Sequence, residues 1–260
     1  MPEITIRVQE VTKEFAHAGG GVLRAIDAVS LDVHRREFVA IVGPSGCGKS
    51  TLLNLVAGLD GVTAGAIYVE GELVTGPRKI GYMFQGDSLL PWRTVFENVE
   101  LGPALNGVPA PERRERVLEL VAQVGLRDFS EAHPHQLSGG MRKRAQLAAV
   151  LANEPNVVLM DEPFGALDAQ TRALLEDDLV RLWRQSDKSI VFVTHDLGEA
   201  ILVATRVVIF TARPGRIKAD YSIELPHAES TLDQRTTPEF HRYYTRIWAD
   251  LRDEVGHRLG

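Results

Sequence analysis

A chain of 260 residues, 44% hydrophobic and 25% charged, is long enough to bury one large α/β core, or a core with a small inserted unit, and short for two equal independent domains. Its formal net charge of -6 gives no electrostatic footprint for nucleic acid, so DNA and RNA are not expected partners. One cysteine, Cys47, cannot form an internal disulfide, which argues against a secreted, disulfide-stapled scaffold and for a reducing compartment, by default the cytosol.

At the start of the chain Ile4, Ile6 and Val8 alternate with Thr5, Arg7 and Gln9, the period-2 pattern of a strand with one buried face. The basic flank and apolar stretch of a signal peptide are missing from this segment. Nowhere does the chain approach the roughly 18 consecutive apolar residues of a membrane-spanning helix, so membrane contact is expected to go through a partner. Residues 30–33 and 66–69 read with the first strand as an antiparallel sheet. The continuous apolar runs at 38–42, 157–160 and 190–193 predict the central strands of a parallel sheet covered by helices on both faces. Between them Val117, Leu120, Val121 and Val124 fall at helical spacing behind Pro111, which predicts a helix over 112–126 within an inserted helical segment. Arg113, Arg114 and Arg116 read as its solvated face. Asp168 is placed to N-cap a helix running to about residue 186, with Leu174, Leu175, Leu179 and Leu182 on the buried side. A polar stretch around 228–238 reads as a linker, and Phe240, Tyr244, Ile247, Leu251 and Val255 mark one face of a last helix.

Gly43, Pro44, Ser45, Gly46, Cys47, Gly48, Lys49 and Ser50 match G-x-x-x-x-G-K-[ST], after a predicted buried strand and before an apolar helix that opens at Thr51. Each position has a task in holding nucleotide phosphates. The glycines let backbone N–H groups curl around the anion, the helix N-terminus adds partial positive charge, Lys49 reaches the β- and γ-phosphates, and the Ser50 hydroxyl binds Mg²⁺. Cys47 fills a small-residue position in this loop. The run 157–160 ends in Asp161 and Glu162, so a buried strand delivers two carboxylates to its C-terminal end, where open α/β sheets place ligands. Asp161 is positioned to hold Mg²⁺ and Glu162 to act as general base on an attacking water. Together the two motifs describe a nucleotide hydrolase or kinase.

Leu137-Ser138-Gly139-Gly140 narrows that choice, because it resembles the signature motif of ATP-binding-cassette (ABC) proteins. Further positions follow in the family's order. Gln85 after Tyr82-Met83-Phe84 resembles the Q-loop, Ala166-Leu167-Asp168 the D-loop, and His195 in Val193-Thr194-His195-Asp196 the switch histidine. Phe15 resembles the aromatic that stacks on adenine, with core packing as the other reading of that residue. The resemblance implies a P-loop NTPase (RecA-like) parallel-sheet core with an antiparallel β subdomain and an inserted α-helical subdomain. It places the ATPase domain at 1–228, the helical insert at about 86–153, and a linker and helix at 229–260. By the same resemblance Ser138, Gly139 and Gly140 contact ATP held by a second ATPase subunit, Gln85 touches Mg²⁺ and the attacking water, Asp168 meets the partner, and His195 contacts the γ-phosphate.

Leu89-Leu90-Pro91-Trp92, Pro134-His135-Gln136 and Ala212-Arg213-Pro214-Gly215-Arg216-Ile217 look like the nitrate, sulfonate and taurine importer group. Met141, Lys143 and Gly165 depart from common family patterns, and none of the three removes a catalytic carboxylate. The implied partners are transmembrane permease subunits, a second copy of the ATPase and, indirectly, a solute-binding protein, with the chain peripheral on the cytoplasmic face of the membrane. Leu89, Leu90 and Trp92 are either the permease docking surface or core of the helical insert. A soluble, non-transport ABC ATPase is the alternative function, and a P-loop phosphotransferase the more distant one.

Overall fold

The protein is described here in a computed structural model covering residues 3–16, 20–226 and 230–256. Two long strands open the chain, β1 (Ile4–Ala16) and β2 (Val22–His34), paired antiparallel with Arg7 opposite Asp32 and Val8 opposite Leu31. β3 (Phe38–Val42) is buried throughout and leads through the glycine-rich loop into α1 (Lys49–Val56). β4 (Ala64–Val69) returns to pair antiparallel with β1, and the short β5 (Glu72–Leu73) completes a four-stranded sheet of order β2-β1-β4-β5.

β6 (Gly81–Met83) is followed by three helices, α2 (Val95–Leu105), α3 (Ala110–Gln123) and α4 (Gly139–Leu151). The chain then alternates through β7 (Val157–Asp161), α5 (Ala169–Arg184), β8 (Ser189–Thr194), α6 (Leu197–Val203) and β9 (Arg206–Phe210). It closes with β10 (Ile217–Ser222), α7 (Thr231–Arg235) and α8 (Pro238–Gly256). The second sheet has the order β10-β9-β3-β8-β7-β6, parallel except for the edge strand β10. Among the described residues no helix is long and apolar enough to cross a membrane.

Alternation along the central strands explains how one sheet serves two cores. Phe38, Ala40 and Val42 of β3 join Ile190 and Phe192 of β8 on the face covered by α5, α6 and α8, whereas Val39 and Ile41 join Val191 and Val193 on the face covered by α1 and the first sheet. A third cluster, built from Val95, Val99, Val117, Val121, Ala145 and Ala148, holds α2, α3 and α4 together.

Several expected details differ. α3 stops at Gln123 rather than 126, because Gly125 follows the cap at φ +71 and turns the backbone out of the helix. Arg113 and Arg116 are not simply solvated, since they pair with Glu100, and with Glu112 and Glu154. Leu174 is 57% exposed while Leu175 and Leu179 are buried, as one residue of helix rotates a side chain about 100° off the packed stripe. The supposed linker contains α7, capped by Ser230, with Thr231 and Gln234 buried; Ala228 lies outside the described residues. In α8 Phe240, Ile247 and Leu251 are buried but Tyr244 is exposed, and the Val255 side chain lies outside the described residues.

Candidate functional site

Strand register gathers the motifs at one edge. β3 pairs Val42 with Thr194, β8 pairs Val193 with Asp161, and β7 pairs Met160 with Met83. The residues that follow these strand ends, Gly43, Gln85, Glu162 and His195, therefore emerge side by side at the carboxyl edge of the parallel sheet.

Lys49 is buried, and its ammonium donates to the Gly43 and Pro44 carbonyls at 2.8 and 3.1 Å. The lysine is thus held across the loop by weak neutral acceptors that phosphate oxygens can replace. At the next residue the Ser50 hydroxyl donates to Asp161 Oδ1 at 2.9 Å. Burial pushes the Asp161 carboxyl above its ordinary range, the Ser50 hydrogen bond opposes that, and the Glu162 charge adds to it. A hydroxyl and a carboxylate side by side form an oxygen donor pair suited to a hard divalent cation that keeps waters and phosphates as its other ligands.

Glu162 adopts φ +43, and its N–H donates to Val193 O at 2.9 Å. The strand thereby ends abruptly and its next side chain is aimed along the sheet edge. Glu162 Oε2 lies 3.2 Å from Gln85 Nε2, which donates to it, and 3.1 Å from His195 Nδ1. With its proton on Nδ1, the imidazole donates to this carboxylate oxygen. One carboxylate oxygen is shared by an amide and an imidazole that arrive from loops 77 and 33 residues away.

The remaining candidates form a second group at the N-termini of α4 and α5. Ser138 caps α4, its Oγ accepting from Met141 N at 3.2 Å. Asp168 caps α5, accepting from Thr171 N at 3.0 Å and Thr171 Oγ1 at 2.7 Å, contacts that hold its carboxyl below the usual range. A Cβ on Gly140 would fall 2.4 Å from Thr171 Cγ2, so the two helix starts approach as closely as glycine permits. Gly139 and Gly165 are less confined, with Cβ positions no closer than 3.4 and 3.7 Å to any neighbour. Phe15 is 38% exposed with the Lys13 ammonium 4.8 Å from its ring centroid, which leaves the ring outside the core. Thr51 is half-buried in α1 and Cys47 is buried. The apolar group after Gln85 divides: Leu89 joins the helical cluster, Leu90 is half-buried, and Trp92 is 71% exposed.

Other contributors were not assigned a role from sequence. Arg213 donates Nε and Nη2 to Gly46 O at 3.0 and 2.8 Å, bracing the phosphate loop from outside. Arg172 joins Asp196, beside the histidine, to the Leu167 carbonyl at 3.1 Å each. The Thr194 hydroxyl donates to the buried Glu199. Arg213 lies within a segment already notable for its Arg-Pro-Gly-Arg order; a lone arginine on a helix, such as Arg172, carries no comparable mark.

Comparison with known proteins finds relatives along nearly the whole chain. The family profile for ABC transporters matches residues 26–165. An uncharacterized ABC transporter ATP-binding protein of Methanocaldococcus jannaschii is 45% identical over 97% of this chain and 93% of its own length. The taurine import ATP-binding protein of Rhizobium johnstonii is 42% identical over 96% of this chain and 94% of its own. For the nitrate import ATP-binding protein of Synechocystis the identity is 43% over 95% of each chain. Among solved structures, the dimeric post-hydrolysis state of the ATP-binding cassette MJ0796 bound to ADP and Pi superposes with a TM-score of 0.74 at 33% identity, over 84% of this chain and 99% of that one.

Proposed function

This chain belongs to the ABC transporter family as an ATPase subunit, and we propose that it drives uptake of a small solute, of the nitrate, sulfonate or taurine kind, through a membrane permease. The observation that carries the catalytic reading is Glu162 Oε2 shared by Gln85 and His195, beside Ser50 paired with Asp161.

When ATP enters, Lys49 exchanges the Gly43 and Pro44 carbonyls for β- and γ-phosphate oxygens. Glu162 takes the proton of the water that attacks the γ-phosphorus, Gln85 orients that water, and His195 swings its N–H from Glu162 to the γ-phosphoryl oxygens as charge spreads over them. Ser50, Asp161 and Gln85 would hold Mg²⁺, which supplies charge neutralisation at the β- and γ-oxygens. Phe15 stacks on the base. Ser138, Gly139 and Gly140, at the start of a 13-residue helix, are placed to receive the γ-phosphate of ATP bound by a second copy. Two chains then enclose two nucleotides head to tail, and Asp168 meets the partner. The dimeric MJ0796 cassette supports this arrangement.

Binding closes the dimer and hydrolysis lets it reopen, a two-state motion that a permease can read. Exposed Trp92, close in sequence to Gln85, supports a permease contact on the cytoplasmic face of the membrane.

Glu162→Gln keeps the shape of the site and removes the base. We expect it to bind ATP, to run as a dimer in gel filtration, and to turn over roughly 10² to 10⁴ times more slowly than the parent. Turnover within twofold of the parent would overturn the role given to Glu162. Recovery of the chain with a permease from detergent-solubilised membranes supports the importer, and a purely soluble pool would instead favour a non-transport ABC ATPase.

A further inference from the structure

The loop that carries Gln85 is exposed from Phe84 to Ser88 and lies between β6 and α2. What fixes its backbone comes from α4. Lys143 Nζ donates to Gln85 O at 2.9 Å and to Gly86 O at 3.4 Å. One turn on, Gln146 Nε2 donates to Gly86 O at 3.1 Å, Asp87 Oδ1 at 3.2 Å and Ser88 Oγ at 3.4 Å. Arg142 pairs with Asp87 at 3.1 Å. Lys143 and Gln146 are 9% and 2% exposed.

Lys143 is the member of this clamp that holds Gln85 itself. Burying an ammonium is unfavourable unless its donors are used, and here two of the three N–H groups go to consecutive carbonyls of the loop. Burial lowers the Lys143 pKa, against an opposing pull from Asp87. The helix that delivers this ammonium begins at Ser138, five residues earlier, little more than one turn away.

We propose that Lys143 is a positioning residue that locks the Gln85 loop to the helix headed by Ser138, so that the group orienting water in a chain's own site moves with the group that completes its partner's site. The proposal rests on the two-chain site described above. A glutamine is one atom shorter and neutral, and presents its donors in one plane, whereas an ammonium reaches both carbonyls from a single point.

The test uses the full chain. Lys143→Met keeps the aliphatic stem and removes every donor, and Lys143→Gln restores donors. ATP hydrolysis is followed against MgATP concentration, and hydrogen exchange over residues 85–90 is followed without nucleotide. The parent is expected to show a Hill coefficient above 1, bounded by its two sites. In Lys143→Met the coefficient falls to about 1, kcat drops roughly tenfold with KM nearly unchanged, and exchange over 85–90 quickens roughly tenfold, as befits loss of bonds from a charged donor. Lys143→Gln recovers a large part of each loss. A purely structural role predicts a lower melting temperature with unchanged cooperativity and exchange, and that result overturns the proposal, as does Lys143→Met behaving like the parent. Should the methionine variant fail to fold, the proposal requires that the glutamine variant fold with exchange no faster than a few times the parent's. A parent without cooperativity and a Glu162→Gln variant that stays monomeric with ATP sink the two-chain site. A cooperative parent unaffected by Lys143→Met sinks only the lysine's role.

Discussion

Glu199 lies on α6 just beyond the histidine loop, 4% exposed, and its carboxylate accepts the hydroxyl of Thr194, the residue before His195. Burial pushes its pKa from the ordinary 4.5 to about 7, with the Thr194 hydrogen bond and Arg172 opposing, and Glu176 and Asp196 adding to the rise. Because the folded pKa lies above the unfolded one, the folded chain holds an extra proton between these values. This contribution is therefore fully present below about pH 4.5 and is lost as pH rises through 7. Glu199→Gln retains an acceptor for Thr194 without the charge. It should be more stable than the parent at pH 8, by at most about 3 kcal/mol, and nearly equal to it near pH 4.5. Urea unfolding at the two pH values checks this, and a difference independent of pH would contradict it. In the sequence Glu199 is an ordinary helix glutamate following Asp196-Leu197-Gly198; only the packing of α6 against β3 and β8 removes it from water.

At the scale of elements, the approach of α4 to α5 separates two adjacent glycines that look equivalent in the motif. Gly140 faces Thr171 with no room for a methyl group, whereas Gly139 has ordinary contact distance to Leu167. Gly140→Ala should cost about 1–3 kcal/mol of stability and shift the start of α4, lowering ATPase activity. Thr171→Ser removes the offending γ-methyl and keeps the hydroxyl that Asp168 accepts. The double variant Gly140→Ala/Thr171→Ser should recover most of that stability, and a double-mutant cycle with no coupling would refute the steric explanation. Helical spacing found Val117 and Val121 correctly as core residues, yet placed Leu174 with Leu175. Both leucines fit a broad apolar stripe, and the orientation of α5 against β7 and β8 chooses between them.

For the whole molecule, the C-terminal segment folds back into the same core as the central strands. Phe240, Ile247 and Leu251 join Phe38 and Phe192 in one cluster. Arg235 of α7 reaches Glu176 of α5, whose side chain is fully buried, at 3.3 Å. Burial raises the Glu176 pKa, and the Arg235 charge holds it down in part. Removing the arginine leaves that carboxylate without its ion pair, so Arg235→Ala should destabilise the chain by about 3 kcal/mol. Adding Glu176→Gln should recover much of the loss. Denaturant unfolding measures both, and an Arg235→Ala variant as stable as the parent would show that Glu176 does not depend on α7.

The sequence by itself determined the parts of this protein that depend on neighbours along the chain. The loop from Gly43 to Ser50 between a buried strand and a helix is legible because each residue's task is set by its position relative to the next. The same holds for the acids closing β7, and for the continuous apolar run of β3 that marks a strand covered on both faces. Family order singled out Gln85, Ser138, Asp168 and His195 as further candidates. Tertiary structure alone decided what holds Gln85 and the phosphate loop in place, Lys143 on the carbonyl of Gln85, 58 positions away, and Arg213 on Gly46 across 167, and what ties α7 to α5, Arg235 on Glu176 across 59. It also decided that a polar stretch around 231–235 is a docked helix and that Glu199 is dry. Periodicity and motif spacing describe a residue relative to its own helix or strand. Which charge is buried and which carbonyl it meets depends on which elements become neighbours, and that is set by strand register and helix packing across the whole chain.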